Sequence, residues 1–434
     1  MQFKSTRSHE GQVSFKDAVL HCLPPQGGLY VPAGMVDMRQ FFLYMDAHTD
    51  YPELVATVTP PLLQGELNPF SASRVAESAF NFQPELRQVE ENLSVLTLYN
   101  GPTGVFKDFG VAFLAAVMEE LLKNNGFAMV LSAAKGDNGV SISQSFSRRQ
   151  GITSVILYPS GQIRGLDPAT FIQNGGNCIP IQVKGTFDDC QRLINAAMED
   201  RPFAERYGIT SGNAVNVGRL LPQAFYYLYA FIKIKPFLQG DLVFSVPCGN
   251  FGNLIAGLYA WKFGMPVSGF IAAMNANNAF GDFIRGKEFS PRPLISTNSP
   301  ALDVSVPSNY ERLAAFYEEA PAVMRNMVYP DSVDDYATVE AMKQAWDRYQ
   351  LILDPNSAVA YAAAERHRRV KDFYGHLVVL ATGHPAKQAD TVAIATGQDI
   401  EIPDKIRKLQ RMVNPVSIIK PHIEDLQSAI ISCF

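Results

Sequence analysis

The chain has little cysteine and no long apolar run. Its five cysteines, Cys22, Cys178, Cys190, Cys248 and Cys433, are odd in number and show no Cys-x-x-Cys spacing, so neither a disulfide framework nor a zinc site is expected. The seven histidines are scattered, with no His-x-x-x-His pair to share a helix face around a metal. There is no basic tract, and 37 basic against 42 acidic side chains leave a net charge of -5. A nucleic-acid partner, which needs clustered Lys and Arg to displace counterions, is therefore not expected. No segment approaches the roughly 20 apolar residues that span a bilayer, and the opening MQFKSTRSHE is polar where a signal peptide would be apolar. A cytoplasmic chain is expected, working as a monomer or homodimer without membrane or nucleic-acid partners. Extended disorder is excluded too: 47% of the 434 residues are hydrophobic, ample for a buried core.

What is present has a rhythm that changes along the chain. From residue 1 to 92, short helical patterns such as SFKDAVLHCL and ASRVAESAF are broken by prolines, which reads as an N-terminal accessory segment. From Leu93 onward, LSVLTLY, FAMVLSA, TSVILYP, NCIPIQV, DLVFSVP, PVSGFIAAM and GHLVVLAT are short apolar, β-branched runs, most followed by Gly or Pro and an amphipathic stretch. Near-continuous apolar strands alternating with helices imply parallel strands buried on both faces. The expected fold is α/β, with open, mostly parallel sheets in two units, 93–235 and 236–434. The stretch from Ser290 to Leu353 reads as helical and irregular. In such sheets ligands bind beyond the carboxyl ends of the strands, and the unusual residues sit in those turns.

Four turns carry candidate chemistry. CGNFGN, Cys248 to Asn253, joins the strand DLVFSVP to a helix. Its glycines and the helix-start N-H groups suit an anion, although neither the Walker nor the dinucleotide spacing is met. Cys248 lacks an assigned base and reads better as a small buried thiol than as a nucleophile. In GPTGVFKDFG, Lys107 falls at a helix start, where the dipole disfavours a cation. That position and partial burial favour the neutral amine that attacks an aldehyde to form a Schiff base. Taken alone, Lys107 would be read as a surface lysine paired with Asp108. AAKGDNG, Ala133 to Gly139, offers successive N-H groups for a carboxylate, with Asp137 or Asn138 adding polar contacts. ATGHPAK places Thr382 and His384 at a strand end, the histidine as a hydrogen-bonded scaffold residue. Together these pieces fit an aldehyde cofactor bearing a phosphate and acting on an amino acid, that is, pyridoxal 5'-phosphate.

At these residues the chain resembles the threonine synthases of the longer bacterial and fungal type, within the fold type II (tryptophan synthase β-like) pyridoxal-phosphate enzymes. The likeness runs from KSTR, VSFKDAVL and GGLYVP near the start, through FDDCQ, NVGRLLPQ and SPALDVSVPSNYERL, to ATGHPAK. It implies Lys107 as the Schiff-base residue. Phe106, Asp137, Gly249, Asn250, Phe251, Gly252 and Asn253 are implied as further cofactor contacts, and Thr382 as the residue facing the pyridine nitrogen. Lys135, Gly136, Asn138, Gly139, Arg164 and Asn216 are implied on the substrate side. The implied reaction converts O-phospho-L-homoserine and water to L-threonine and phosphate. Some loops depart from the family pattern. Lys135-Gly136-Asp137-Asn138-Gly139 stands for Ser-Gly-Asp-Thr-Gly, Gly161-Gln162-Ile163-Arg164 for Gly-Lys-Ile-Ser, Asp167 for a glutamine, and Asn213-Ala214-Val215-Asn216 for Asn-Ser-Ile-Asn. Either the two new cations hold the same phosphorylated substrate by another geometry, or the chain is a paralogue acting on another anionic amino acid; a catalytically silent homologue is a third reading.

Overall fold

The structure, a computed structural model, describes residues 1–8, 11–63, 65–134, 136–160, 163–409 and 412–433, with the backbone alone at 163, 164, 412 and 413. Near the start, β1 (Phe3–Ser5) and β2 (Tyr30–Pro32) form a small antiparallel pair. The further strands, in chain order, are β3 (Glu85–Glu90), β4 (Leu93–Thr97), β5 (Ala128–Ala133), β6 (Ile152–Pro159), β7 (Ile163–Arg164), β8 (Cys178–Val183) and β9 (Ile209–Ser211). After them come β10 (Leu242–Pro247), β11 (Gly269–Met274), β12 (Val328–Ser332), β13 (His376–Ala381), β14 (Met412–Val413) and β15 (Ser417–Ile419).

Two sheets organise the molecule. One has six strands in the order β12-β11-β10-β13-β4-β3, the other five in the order β15-β8-β6-β5-β9. All neighbours in both are parallel except the β3–β4 hairpin. Strands β5, β10, β11 and β13 are buried at every position, as sheets covered by helices on both faces require. The helix Lys107–Leu121 is buried continuously from Asp108 to Met118. An all-round apolar helix of this kind belongs in the middle of a molecule. Gly110 lets it lie against the turn Val217–Leu220: a Cβ there would come within 2.4 Å of the Arg219 carbonyl oxygen. Among the described residues no helix is long and apolar enough to cross a membrane.

The seven apolar runs are all strands, but the sheets do not divide at 92 and 235. Strand β4 joins β13 in the six-stranded sheet, whereas β15, from the far end of the chain, joins β8 in the other. Parallel neighbours are never linked by a tight turn, so closeness in sequence says little about which sheet a strand enters. The accessory segment is likewise not separate, because β3 at its end pairs with β4. Within residues 290–353, expected to be helical and irregular, β12 extends the six-stranded sheet beside β11.

Candidate active site

The site lies at the carboxyl ends of both sheets. After β4 the chain turns through residues 98–106, and the helix starts at Lys107. Val105 bridges Gly383, the Phe106 N-H donates to the Thr382 carbonyl (2.9 Å), and the His384 N-H donates to the Gly104 carbonyl (2.9 Å). The lysine turn and the strand-end threonine are thus one stitched unit. Asp108 is not the surface partner of Lys107. It is fully buried and accepts from the Thr103 N-H (2.8 Å), the Thr103 hydroxyl (2.6 Å) and the Ser141 hydroxyl (2.7 Å). Lys107 is partly accessible. Burial of its amine is the largest influence on its pKa and pushes it below the ordinary lysine value; Asp137 opposes this, and the cations Arg219 and Lys387 add to it.

Thr382 is held from behind. Its N-H donates to Ser357 Oγ (2.8 Å), and Ser357 in turn donates to the buried carboxylate of Asp354, which caps the helix Pro355–Lys371. The Thr382 hydroxyl has no hydrogen-bond partner among the described residues. His384 behaves as the scaffold residue the sequence suggests: its Nδ1 accepts from the Ala386 N-H (3.2 Å), and burial, with Lys405 and Lys387, pushes its pKa down to about 4.

The second anchor is the turn after β10. Phe251 adopts a left-handed backbone (φ 59°), costly for a bulky side chain, and its ring lies 4.5 Å from that of Phe280. The helix Gly252–Lys262 follows, and its first-turn N-H groups have no partners within the helix. Asn253 is buried. Its Oδ1 accepts from the Tyr226 and Tyr227 hydroxyls (2.6 and 2.8 Å), while its Nδ2 has no partner. A bare buried donor beside a helix start and a glycine turn fits a phosphate. Burial pushes the Cys248 thiol well up, in keeping with an inert thiol.

The third anchor is the start of the helix Asp137–Phe146 after β5, with Gly136 left-handed (φ 58°) and no side chain capping the helix. Asn138 Nδ2 donates to the Ala133 carbonyl (2.9 Å), tying the turn to its strand. Gly139 has room for no side chain, since a Cβ there would meet that of Ala134 at 2.6 Å. Asp137 is ion-paired with Lys387 (2.6 Å), which also donates to the Thr103 carbonyl (2.9 Å). This bridge joins the two sheets beside Lys107.

Asn216, expected on the substrate side, has its amide engaged within the protein. It is fully buried, its Nδ2 donates to the Val19 (3.0 Å) and Ser211 (2.9 Å) carbonyls, and its Oδ1 accepts from the Gly218 N-H (2.9 Å). With both amide atoms engaged, it clamps the helix Phe15–His21 to β9. Asp167 similarly caps the Ala169 N-H (3.0 Å). Lys135 and Gln162 lie outside the described residues, and of Arg164 the backbone alone is described, paired with Met412. Two cations that no turn motif singled out also bear on Lys107. One is Lys387; the other is the buried Arg219, whose pKa burial lowers to about 10. Arg219 Nη1 donates to the Gly212 carbonyl (2.7 Å) and its Nε is unpartnered. Both belong to blocks quoted for their resemblance, NVGRLLPQ and ATGHPAK.

Comparison with known proteins covers the whole chain. Residues 84–383 match the family described as pyridoxal-phosphate dependent enzyme, 2–80 match threonine synthase N terminus, and 357–430 match threonine synthase, C-terminal. The threonine synthase of Buchnera aphidicola subsp. Schizaphis graminum is 32% identical over 422 residues, 96% of this chain and 97% of that one. The crystal structure of the Escherichia coli threonine synthase superposes with a TM-score of 0.87 at 30% identity, each chain covered in full. A structure of PLP-bound threonine synthase from Brucella melitensis gives 0.86 at 27% identity, covering 100% of this chain and 99% of that one. The chain belongs to the threonine synthase family of pyridoxal-phosphate dependent enzymes.

Proposed function

We propose that this chain is a threonine synthase that binds pyridoxal phosphate through Lys107 and converts O-phospho-L-homoserine and water to L-threonine and phosphate. The observation that carries this reading is Lys107 at a helix start whose preceding turn is stitched to the Thr382 strand end, its amine pushed towards the neutral form by burial. The full-length likeness to relatives named threonine synthase supports it over a paralogue or a silent homologue.

The cofactor, when bound, supplies an electron sink for negative charge developing on the substrate carbons. The protein supplies the rest. Gly252, Asn253 and the preceding turn would hold the phosphate, and the Thr382 hydroxyl would serve the ring nitrogen. The helix start Gly136–Gly139 receives the substrate carboxylate. The Lys107 amine would take a proton from one substrate carbon and return it to another. Arg219 and Lys387 add positive potential on the side where a doubly anionic substrate binds. A cytoplasmic location and a monomeric or dimeric state are part of the proposal.

The deciding assay incubates purified holoenzyme with O-phosphohomoserine and measures phosphate and amino-acid product. Stoichiometric phosphate and threonine are expected. A different amino acid, or no turnover, overturns the reading.

A further inference from the structure

Among the described residues, three buried side-chain nitrogens have no hydrogen-bond partner: Arg219 Nε, Asn253 Nδ2 and Asn309 Nδ2. Nitrogens of this kind can only donate, so each is costly to bury unpaired. Asn253 belongs to the cofactor turn already described. Asn309 does not, and it is fully buried.

Asn309 precedes the helix Tyr310–Glu319 in the N-cap position, one of the best places for asparagine, yet its side chain makes no capping bond. It is engaged elsewhere. Arg312 Nη1 donates to Asn309 Oδ1 (2.6 Å), and the rest of that buried guanidinium is fixed on the carbonyls of Tyr30 (3.0 Å), Ala214 (3.1 Å) and Val215 (2.6 Å). Because the oxygen must face Arg312, the orientation of the amide is set and Nδ2 points away from it. It points to the cofactor turn: a Cβ on Gly252 would lie 3.5 Å from Asn309 Nδ2. The same segment is tied to that turn again by the Ser308 N-H, which donates to Asn250 Oδ1 (3.0 Å). A bare donor, held rigidly by a cation behind it and set against the first residue of an anion-binding helix start, is a phosphate ligand waiting for its acceptor.

We propose that Asn309 binds the cofactor directly, its Nδ2 donating a hydrogen bond to the phosphate group, with Arg312 as the residue that positions it. This rests on the reading of CGNFGN as the cofactor-phosphate turn and adds to it a ligand from a distant part of the chain.

The test uses apoprotein reconstituted separately with pyridoxal phosphate and with pyridoxal, which lacks the phosphate. In Asn309→Asp the acceptor for Arg312 remains, and an oxygen replaces the donor. Its dissociation constant for pyridoxal phosphate should rise about ten- to a hundredfold, while that for pyridoxal changes less than about twofold. The phosphorus-31 resonance of bound cofactor should shift as well. Asn309→Ala should show the same selectivity with a smaller loss, and decides the matter if the aspartate variant does not fold. Equal weakening of both compounds would mean a structural role, and no weakening of either would leave Nδ2 facing an ordered water; each overturns the proposal. A parent protein that fails to take up pyridoxal phosphate at Lys107 would instead sink the functional reading beneath it.

Discussion

Lys107 and Thr382 differ in how much of their role falls to a side chain. Lys107 is proposed to supply the bond, so borohydride reduction of the holoenzyme should fix the cofactor on this residue, as peptide mapping will read; labelling of Lys123 or Lys387 instead would refute the assignment. Its burial also predicts a stability effect. The folded pKa lies below the unfolded value, so the unfolded chain binds the extra proton more readily. The resulting penalty is greatest where both states are protonated and fades as pH rises through the ordinary lysine range. Apoprotein carrying Lys107→Met should therefore be more stable than the parent at pH 7, by roughly 0.5–2 kcal/mol. Thermal melts of the two apoproteins check this, and a lower melting temperature for the variant would contradict it. Thr382 contributes a hydroxyl on a backbone that Ser357 and Phe106 already hold. Thr382→Val should keep the cofactor bound and lower kcat about fivefold, since a neutral donor lost costs of the order of 1 kcal/mol. Full activity would exclude the ring-nitrogen role.

At the scale of elements, legibility in the sequence follows burial. Strands β5, β10, β11 and β13 are enclosed on both faces and announce themselves as unbroken apolar runs. β12, written VYPDS, carries a proline and polar residues because it is an edge strand with water beside it. Strands β9 and β15 are three residues long, too short for any period to show. The site divides along the same line. Turn residues stood out because their chemistry is local, whereas Asp354, Ser357, Arg312 and Asn309 act across the fold and look like helix-start residues until the packing is seen. The structural role of Asn216 was hidden for the same reason. The strand pair β4–β13 also yields a pH prediction. His376 is buried, its Nε2 lies 2.9 Å from Ser94 Oγ, and burial pushes its pKa down to about 4. The folded pKa lies below the unfolded 6.5, so this histidine's contribution is present above pH 6.5 and lost as pH falls towards 4. In His376→Asn the loss of stability across that window should be smaller by about 2 kcal/mol, measured by denaturant melts at pH 7 and pH 4.5. An unchanged difference would show that other groups dominate acid unfolding.

For the whole molecule, the open matter is how the two sheets divide recognition of the substrate. The proposed cofactor residues come mainly from turns of the six-stranded sheet and the proposed carboxylate turn from the other, and Asp137–Lys387 bridges them. In the sequence, the loops that depart from the family pattern follow strands β5, β6 and β9, and Lys135 and Arg164 bring two cations in place of hydroxyls and a lysine. If these cations now carry recognition of the phosphorylated substrate, Lys135→Ala and Arg164→Ala should each raise KM, with a ten- to a hundredfold fall in kcat/KM, about 1.5–3 kcal/mol for an ionised hydrogen bond. The combined variant Lys135→Ser, Asn138→Thr, Gln162→Lys and Arg164→Ser should keep or improve the parent's turnover of O-phosphohomoserine. Its stability should fall slightly, because Asn138 also ties the turn to β5. Steady-state kinetics on the parent and the three variants decide the point, and parent-like values for both alanine variants would reduce the cations to bystanders.

The strand β15 carries a consequence for how the protein is made. It covers the outer edge of β8 in the five-stranded sheet but is translated long after it, when both sheets have otherwise been delivered. Throughout the synthesis of residues 184–416, the growing chain carries an open, apolar parallel edge, the kind of surface on which nascent chains pair with one another. Chains halted before residue 417 should aggregate or be captured by chaperones, and a short peptide spanning 412–433 supplied in trans should restore part of their solubility.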